Sequence, residues 1–141
     1  MQPGDIYRHA AFYVGDTGEI KTKYLLVLAA PINADVVARL LTSRPHGRPE
    51  TPPCYHGLPY GGYFLGVIGA PLVRNSWIDL RYLGDLDPID ARTEQARGIL
   101  TQVSTLPREV LCAEIECVAT AEDTTRRQEN YLRETLATLR A

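Results

Sequence analysis

The amino-acid sequence predicts an α+β fold, a small, strongly bent antiparallel sheet followed by helices. Short apolar runs separated by turn residues fill most of the chain, and a stripe at helical spacing, Leu132, Leu136 and Leu139, ends it. Consecutive short strands followed by helices are the pattern of that class. The length, 141 residues, suits one domain with one continuous core. We expect the sheet over about residues 4–104 and a helical tail over about 105–141.

Each element has its own signal. Gly4-Asp5 is a turn leading into a strand from Ile6 to Val14, and Gly15-Asp16-Thr17-Gly18 is a dense turn of the kind that joins two strands. Tyr24 to Leu28 is a continuous apolar run, as in a strand buried on both faces. Asp35 to Thr42 follows as a third strand, with Val36 and Val37 β-branched at its start; a helix is the alternative. From Ser43 to Gly62 the chain carries Pro45, Pro49, Pro52, Pro53 and Pro59 among four glycines, which excludes a helix or an interior strand. A loop of such length inside a domain is usually functional or mobile. Tyr63 to Ile68 and Ser76 to Leu80 resume strand character. Asp87-Pro88 breaks the chain, Ala91 to Ala96 is a helical turn ended by Gly98, and Ile99 to Val103 is a short strand. Pro107 stands where a helix can start. Leu111, Ile115 and Val118 then follow at helical spacing, while the alternation Ile115, Cys117, Ala119 leaves a strand open. The last helix spans Asp123 to Arg140, with Thr120 and Asp123 as a capping pair.

Composition bounds the function. Hydrophobic residues make up 45% and charged residues 23%, with a net charge of −2. No segment is polar and charged enough to force disorder. There is no global basic field, yet a neutral protein can still carry a basic groove. The longest apolar stretch, Tyr24 to Pro31, is far short of the roughly 20 residues that span a bilayer. The first residues lack the basic and apolar segments of a signal peptide, so the expected location is cytoplasmic, without membrane. Cys54, Cys112 and Cys117 are odd in number and show no tight C-x₂-C pair. On a helix Cys112 and Cys117 are about 500° apart and do not share a face. Reduced thiols are expected, with no metal.

Gly4-Asp5-Ile6-Tyr7 resembles the G-D-[IV]-[VW] opening of the MazF/PemK toxins. Lys23-Tyr24-Leu25-Leu26-Val27-Leu28 stands where that family has R-P-[AV]-[LV]-V-[LI] on its second strand. Val36 to Thr42-Ser43 is similar to the third strand and its end, and Ser76 to Leu80 to a later strand. The resemblance covers roughly Gly4 to Leu80. It implies an SH3-like barrel with C-terminal helices. It also implies a toxin-like endoribonuclease that cleaves single-stranded RNA without metal or other cofactor. A homodimer and a cognate antitoxin protein, whose tail occupies the RNA groove, are the implied partners. The family's Arg at the start of its second strand and Thr or Ser at the end of its third correspond to Lys23, Thr42 and Ser43. These are the expected catalytic residues, and Lys21, Arg44, His46 and Arg48 the expected RNA contacts.

Lys in place of Arg is a departure, because a point charge replaces a planar fork that grips two phosphate oxygens. It leaves open an altered or inactive enzyme, and a non-catalytic SH3-like binding or regulatory module as the alternative. Each residue also has a plainer reading. Lys21 and Lys23 can be the solvated flank of a turn, Thr42-Ser43 an ST-turn closing the strand, and Arg44 to Arg48 an exposed polar loop. Tyr55, Tyr60 and Tyr63 either offer stacking platforms to bases or pack the proline-rich loop onto the domain. Convergence of Lys23, Thr42 and the Arg44–Arg48 loop on one groove is the geometric condition for the enzyme.

Overall fold

The structure, a computed structural model, describes residues 1–14 and 18–141. Most of the turn expected at Gly15 to Gly18 lies outside the described residues. The strands are β1 (Asp5–Val14), β2 (Glu19–Ala29), β3 (Val37–Thr42), β4 (Cys54–Tyr55), β5 (Gly62–Gly66), β6 (Ser76–Asp79) and β7 (Leu100–Thr105). The helices are α1 (Pro88–Ala96), α2 (Arg108–Ala119) and α3 (Arg126–Arg140). The strands form one antiparallel sheet in the order β4-β5-β6-β3-β2-β1-β7. Its outer strands, β4 and β7, do not pair with each other among the described residues, so the sheet is open along that seam.

The apolar run in β2 is the middle of this architecture. Leu25, Leu26, Val27 and Leu28 are all essentially unexposed. Successive residues of a strand point to opposite faces. Leu26 and Leu28 join Leu111, Ile115, Leu132 and Leu136 of α2 and α3 on one face. Leu25 and Val27 join Tyr7, Leu100 and Ala91 of α1 on the other. Each such side chain contributes roughly 1.5–3 kcal/mol by leaving water. A strand with both faces covered cannot alternate with polar residues, which is why its sequence is unbroken.

Several local expectations shift by the length of a cap. Asp87-Pro88 starts a helix instead of breaking the chain: the Asp87 carboxylate accepts from Ile89 N–H at 2.8 Å and Asp90 N–H at 3.2 Å, with Pro88 in the first turn. Residues 115–119 are helical, not a strand, and α2 ends at Thr120. The last helix caps on Thr125 and not on Thr120 and Asp123. Thr125 Oγ1 accepts from Gln128 N–H, and Gln128 Oε1 accepts from Thr125 N–H, a complete capping box. Thr120 is unavailable for that role because it is the C-cap of α2.

Gln128 also receives Arg39, a fully buried β3 residue. Arg39 Nη2 donates to Gln128 Oε1 at 2.9 Å and Thr124 Oγ1 at 3.2 Å, and Nη1 to Ala38 O at 2.8 Å. Burial lowers the guanidinium pKa, opposed by the charges of Asp85 and Asp123. The network ties the sheet to the start of α3.

The cysteines differ from expectation. Cys54 of β4 and Cys117 of α2 form a disulfide, with Cα atoms 5.8 Å apart, and Cys112 is free. The pairing joins residues far apart in sequence, so local spacing carries no sign of it.

Glu114 of α2 is 1% exposed, with Oε2 unpartnered. Burial pushes its carboxyl pKa up to about 8, from an ordinary 4.5. The native state therefore holds a proton that the unfolded chain releases. The stability this gives is fully present below pH 4.5, declines as pH rises, and is gone above about 8. Urea unfolding across this window is expected to show a loss approaching about 1.4 kcal/mol per pH unit. That slope is expected to be absent in Glu114→Gln.

Candidate functional site

The open end of the sheet, where β2 begins and β3 ends, forms a groove of about 510 Å³. The strand register accounts for it. Tyr24 pairs with Leu41, Leu25 with Leu40 and Leu26 with Arg39. One step beyond this ladder the same register sets Lys23 opposite Thr42, the last residue of β3. Lys21, Lys23, Thr42, Ser43, Arg44 and His46 all line the groove. The connection between β5 and β6 supplies the facing wall, Pro71 to Arg74, and Tyr24 and Arg81 also contribute.

The lining is basic. Lys21, Lys23, Arg44, Arg74 and Arg81 meet there, and no described lining residue is a carboxylate. Lys21 pairs with Glu19 at 3.4 Å, and Arg81 with Asp79 at 2.7 Å. Among the described residues Lys23, Arg44 and Arg74 make no ion pair. A chain with net charge −2 thus concentrates positive potential at one end.

Trp77 fastens the proline-rich segment to the body, and Arg48 ties the two ends of the segment together. Trp77, buried in β6, donates its indole N–H to Pro49 O at 3.0 Å. Arg48 Nε donates to Gly61 O at 2.8 Å, and Nη1 to Arg44 O at 3.2 Å. Arg48 Nη2 lies 3.3 Å from Asp79 Oδ1, inside ion-pair distance but without hydrogen-bond alignment. Gly62 is the residue this packing requires, because a Cβ there would overlap the Arg48 side chain. Arg48 is therefore a correction to the sequence reading. It is buried, with Nε and Nη1 donating to carbonyls and Nη2 facing Asp79 beneath the loop, so it does not present its charge to a ligand in the groove.

Above Arg48 the chain makes a tight turn, closed by Arg48 N–H to Pro45 O at 2.8 Å. Its central residues, His46 and Gly47, both have positive φ, 44° and 83°. The turn projects an exposed His46, whose ring meets Tyr60 edge-on at 5.9 Å. Tyr60 also receives the Arg81 guanidinium at 4.4 Å and that of Arg48 at 5.3 Å. Tyr60 thus packs the loop rather than standing free, and Tyr55 donates its hydroxyl to Leu58 O within the loop itself. Thr42 Oγ1 accepts from Arg44 N–H at 3.1 Å, an ST-turn that fixes the start of the loop. Its O–H remains able to donate to a ligand.

One contributor was missed in the sequence. Arg74 sits in a segment without a motif, and only the β5–β6 connection brings it to the groove. Asp79 is the buried counter-charge for Arg48 and Arg81. Burial pushes its pKa up, but hydrogen bonds and charge from Arg81, with the charge of Arg48, outweigh that and leave it lowered. His9 and Arg8 do not line the groove; His9 Nε2 lies 2.7 Å from Glu94 of α1.

Asp79→Asn would leave Arg48 buried without its counter-charge. An expected loss of about 3–5 kcal/mol in urea unfolding checks this. No family model, curated protein or solved structure matches this chain, so what the groove can do follows from its own geometry.

Proposed function

We propose that the groove binds single-stranded RNA and that the chain is a toxin-like, metal-independent endoribonuclease of the MazF/PemK kind. In this reading the open sheet is a widened form of the SH3-like barrel. A homodimer, and an antitoxin whose acidic tail occupies the groove, complete the assembly. The observation that carries the proposal is convergence. Six residues singled out from the sequence, Lys21, Lys23, Thr42, Ser43, Arg44 and His46, line one basic groove.

The chemistry fits those side chains. The 2′-oxygen attacks the adjacent phosphorus, and the bond to the 5′-oxygen breaks, leaving a cyclic phosphate. Lys23 faces the charge that develops on the phosphoryl oxygens, and the hydroxyls of Thr42 and Ser43 donate to them. His46, on its turn, exchanges protons with the entering and leaving oxygens. Lys21, Arg44 and Arg74 hold flanking phosphates, and Tyr24 gives a base a ring to stack on.

A second reading, RNA binding without cleavage, draws on Lys23 itself. A single ammonium neutralises a phosphate but does not hold two of its oxygens in a fixed plane. The two readings share affinity and differ in turnover.

The test is cleavage of single-stranded RNA in EDTA by wild type beside Lys23→Ala, Thr42→Ala and His46→Ala. Expected losses are about 10²–10³-fold for the two charge-stabilising positions and about 10²–10⁴-fold for His46. Binding without turnover in the wild type would establish the second reading. Absence of both binding and cleavage by a folded, antitoxin-free chain would overturn both. With four groove cations on phosphates, log K is expected to fall with log salt at a slope of about −3, and Arg74→Ala to flatten it by about 0.7.

A further inference from the structure

We propose that Cys54, His56 and Cys117, in the thiol state, form a site for Zn²⁺ that clips the proline-rich segment onto α2. The two sulfurs and a ring nitrogen of His56 all lie within 4.8 Å of one another. A tetrahedral zinc ion bound at about 2.0–2.3 Å requires its N and S ligands to stand about 3.3–3.8 Å apart. His56 Nε2 is already 3.2 Å from Cys54 Sγ. The change needed is a parting of the two sulfurs after reduction.

A disulfide accounts for the cysteines but gives His56 no part. His56 is exposed, yet Nε2 is aimed at sulfur and lies 3.3 Å from Thr120 Oγ1. Thr120 is held in turn by Glu116 O and Cys117 O. That contact falls on the same ring nitrogen that would bind zinc, so the ion takes its place. Two thiolates and an imidazole form a soft donor set, which favours zinc over magnesium or calcium. Cys117 is buried and Cys54 half-buried, so the open side lies at His56. Glu122 and Asp123 line the adjoining cleft and favour entry of a cation, and the fourth position falls to water. Cys112 stands outside the cluster.

The conversion balances. Two equivalents of a thiol reductant give up two electrons and two protons, yielding the Cys54 and Cys117 thiols and the reductant's own disulfide. Zn²⁺ then displaces both thiol protons. Either state joins β4 to α2, so the fold is retained while the link changes from covalent to coordinate.

The experiment uses the full chain, reduced with a phosphine that is then removed, and titrated anaerobically with Co²⁺ as a spectroscopic probe. The expected result is one Co²⁺ per chain, with tetrahedral visible bands and a sulfur-to-cobalt charge-transfer band, both bleached by Zn²⁺. Cys54→Ser and Cys117→Ser are expected to lose that band, and His56→Ala to weaken binding at least about tenfold. Cys112→Ser should bind as wild type does. The proposal is overturned if the reduced wild type, folded by circular dichroism, shows no sulfur-to-cobalt band. It is equally overturned if His56→Ala binds with unchanged affinity and spectrum, or if the disulfide-bonded protein gives the same band.

Discussion

Asp79 is a buried carboxylate met by Arg48 from beneath the proline-rich segment and by Arg81 from the groove side. Burying charge is costly unless each partner is satisfied, so this arrangement fixes more than itself. Arg48 reaches Asp79 only if the segment folds over β5 and β6, and only if Gly62 leaves space for its side chain. Once it does, Nε meets the carbonyl of Gly61 and Nη1 those of Arg44 and Pro45. The path of the segment, and with it the placing of Arg44 and His46, depends on that pair. Trp77 fastens the same segment through Pro49 at a second point.

A comparable device operates on the far side of β3. Arg39 is drawn into the core by Gln128 and Thr124, so the N-terminal end of α3 is bound to the sheet by polar contacts beside the apolar packing. Hydrophobic burial supplies most of the driving force but little direction. The two arginine networks supply direction: one orients a helix, the other a loop. Between them runs β2, whose apolar half is covered on both faces while its polar start reaches the groove. One strand thus serves the core at one end and the site at the other.

The groove's electrostatics are a matter of placement rather than composition. The chain is slightly acidic in sum, yet carboxylates are missing from the described lining of the groove. Asp79, which pairs with the lining residue Arg81, is engaged below the surface by two arginines, and Glu19 pairs with Lys21. That leaves Lys23, Arg44 and Arg74 to set the local potential. A polyanion would meet a field that the net charge conceals.

The sequence by itself determined the α+β class, most of the strands along the chain, the twice-covered β2 and the stripe on α3. Each is a local signal, a matter of which apolar residues stand two or four apart. It also marked Lys21, Lys23, Thr42, Ser43, Arg44 and His46, and β2–β3 register brings them together. What it could not show depends on residues distant in the chain. Arg48 carries the same charge as Arg44 and lies four residues on, but only the tertiary fold brings Asp79 beneath it and turns a surface cation into a buried clamp. Cys54 and Cys117 are 63 residues apart, and their meeting, with His56 between loop and helix, is settled by how β4 docks on α2. Arg74 joins the groove for the same reason. A side chain's local pattern fixes what it can do, whereas its desolvation and its partners are set by chain segments that meet only when the protein folds.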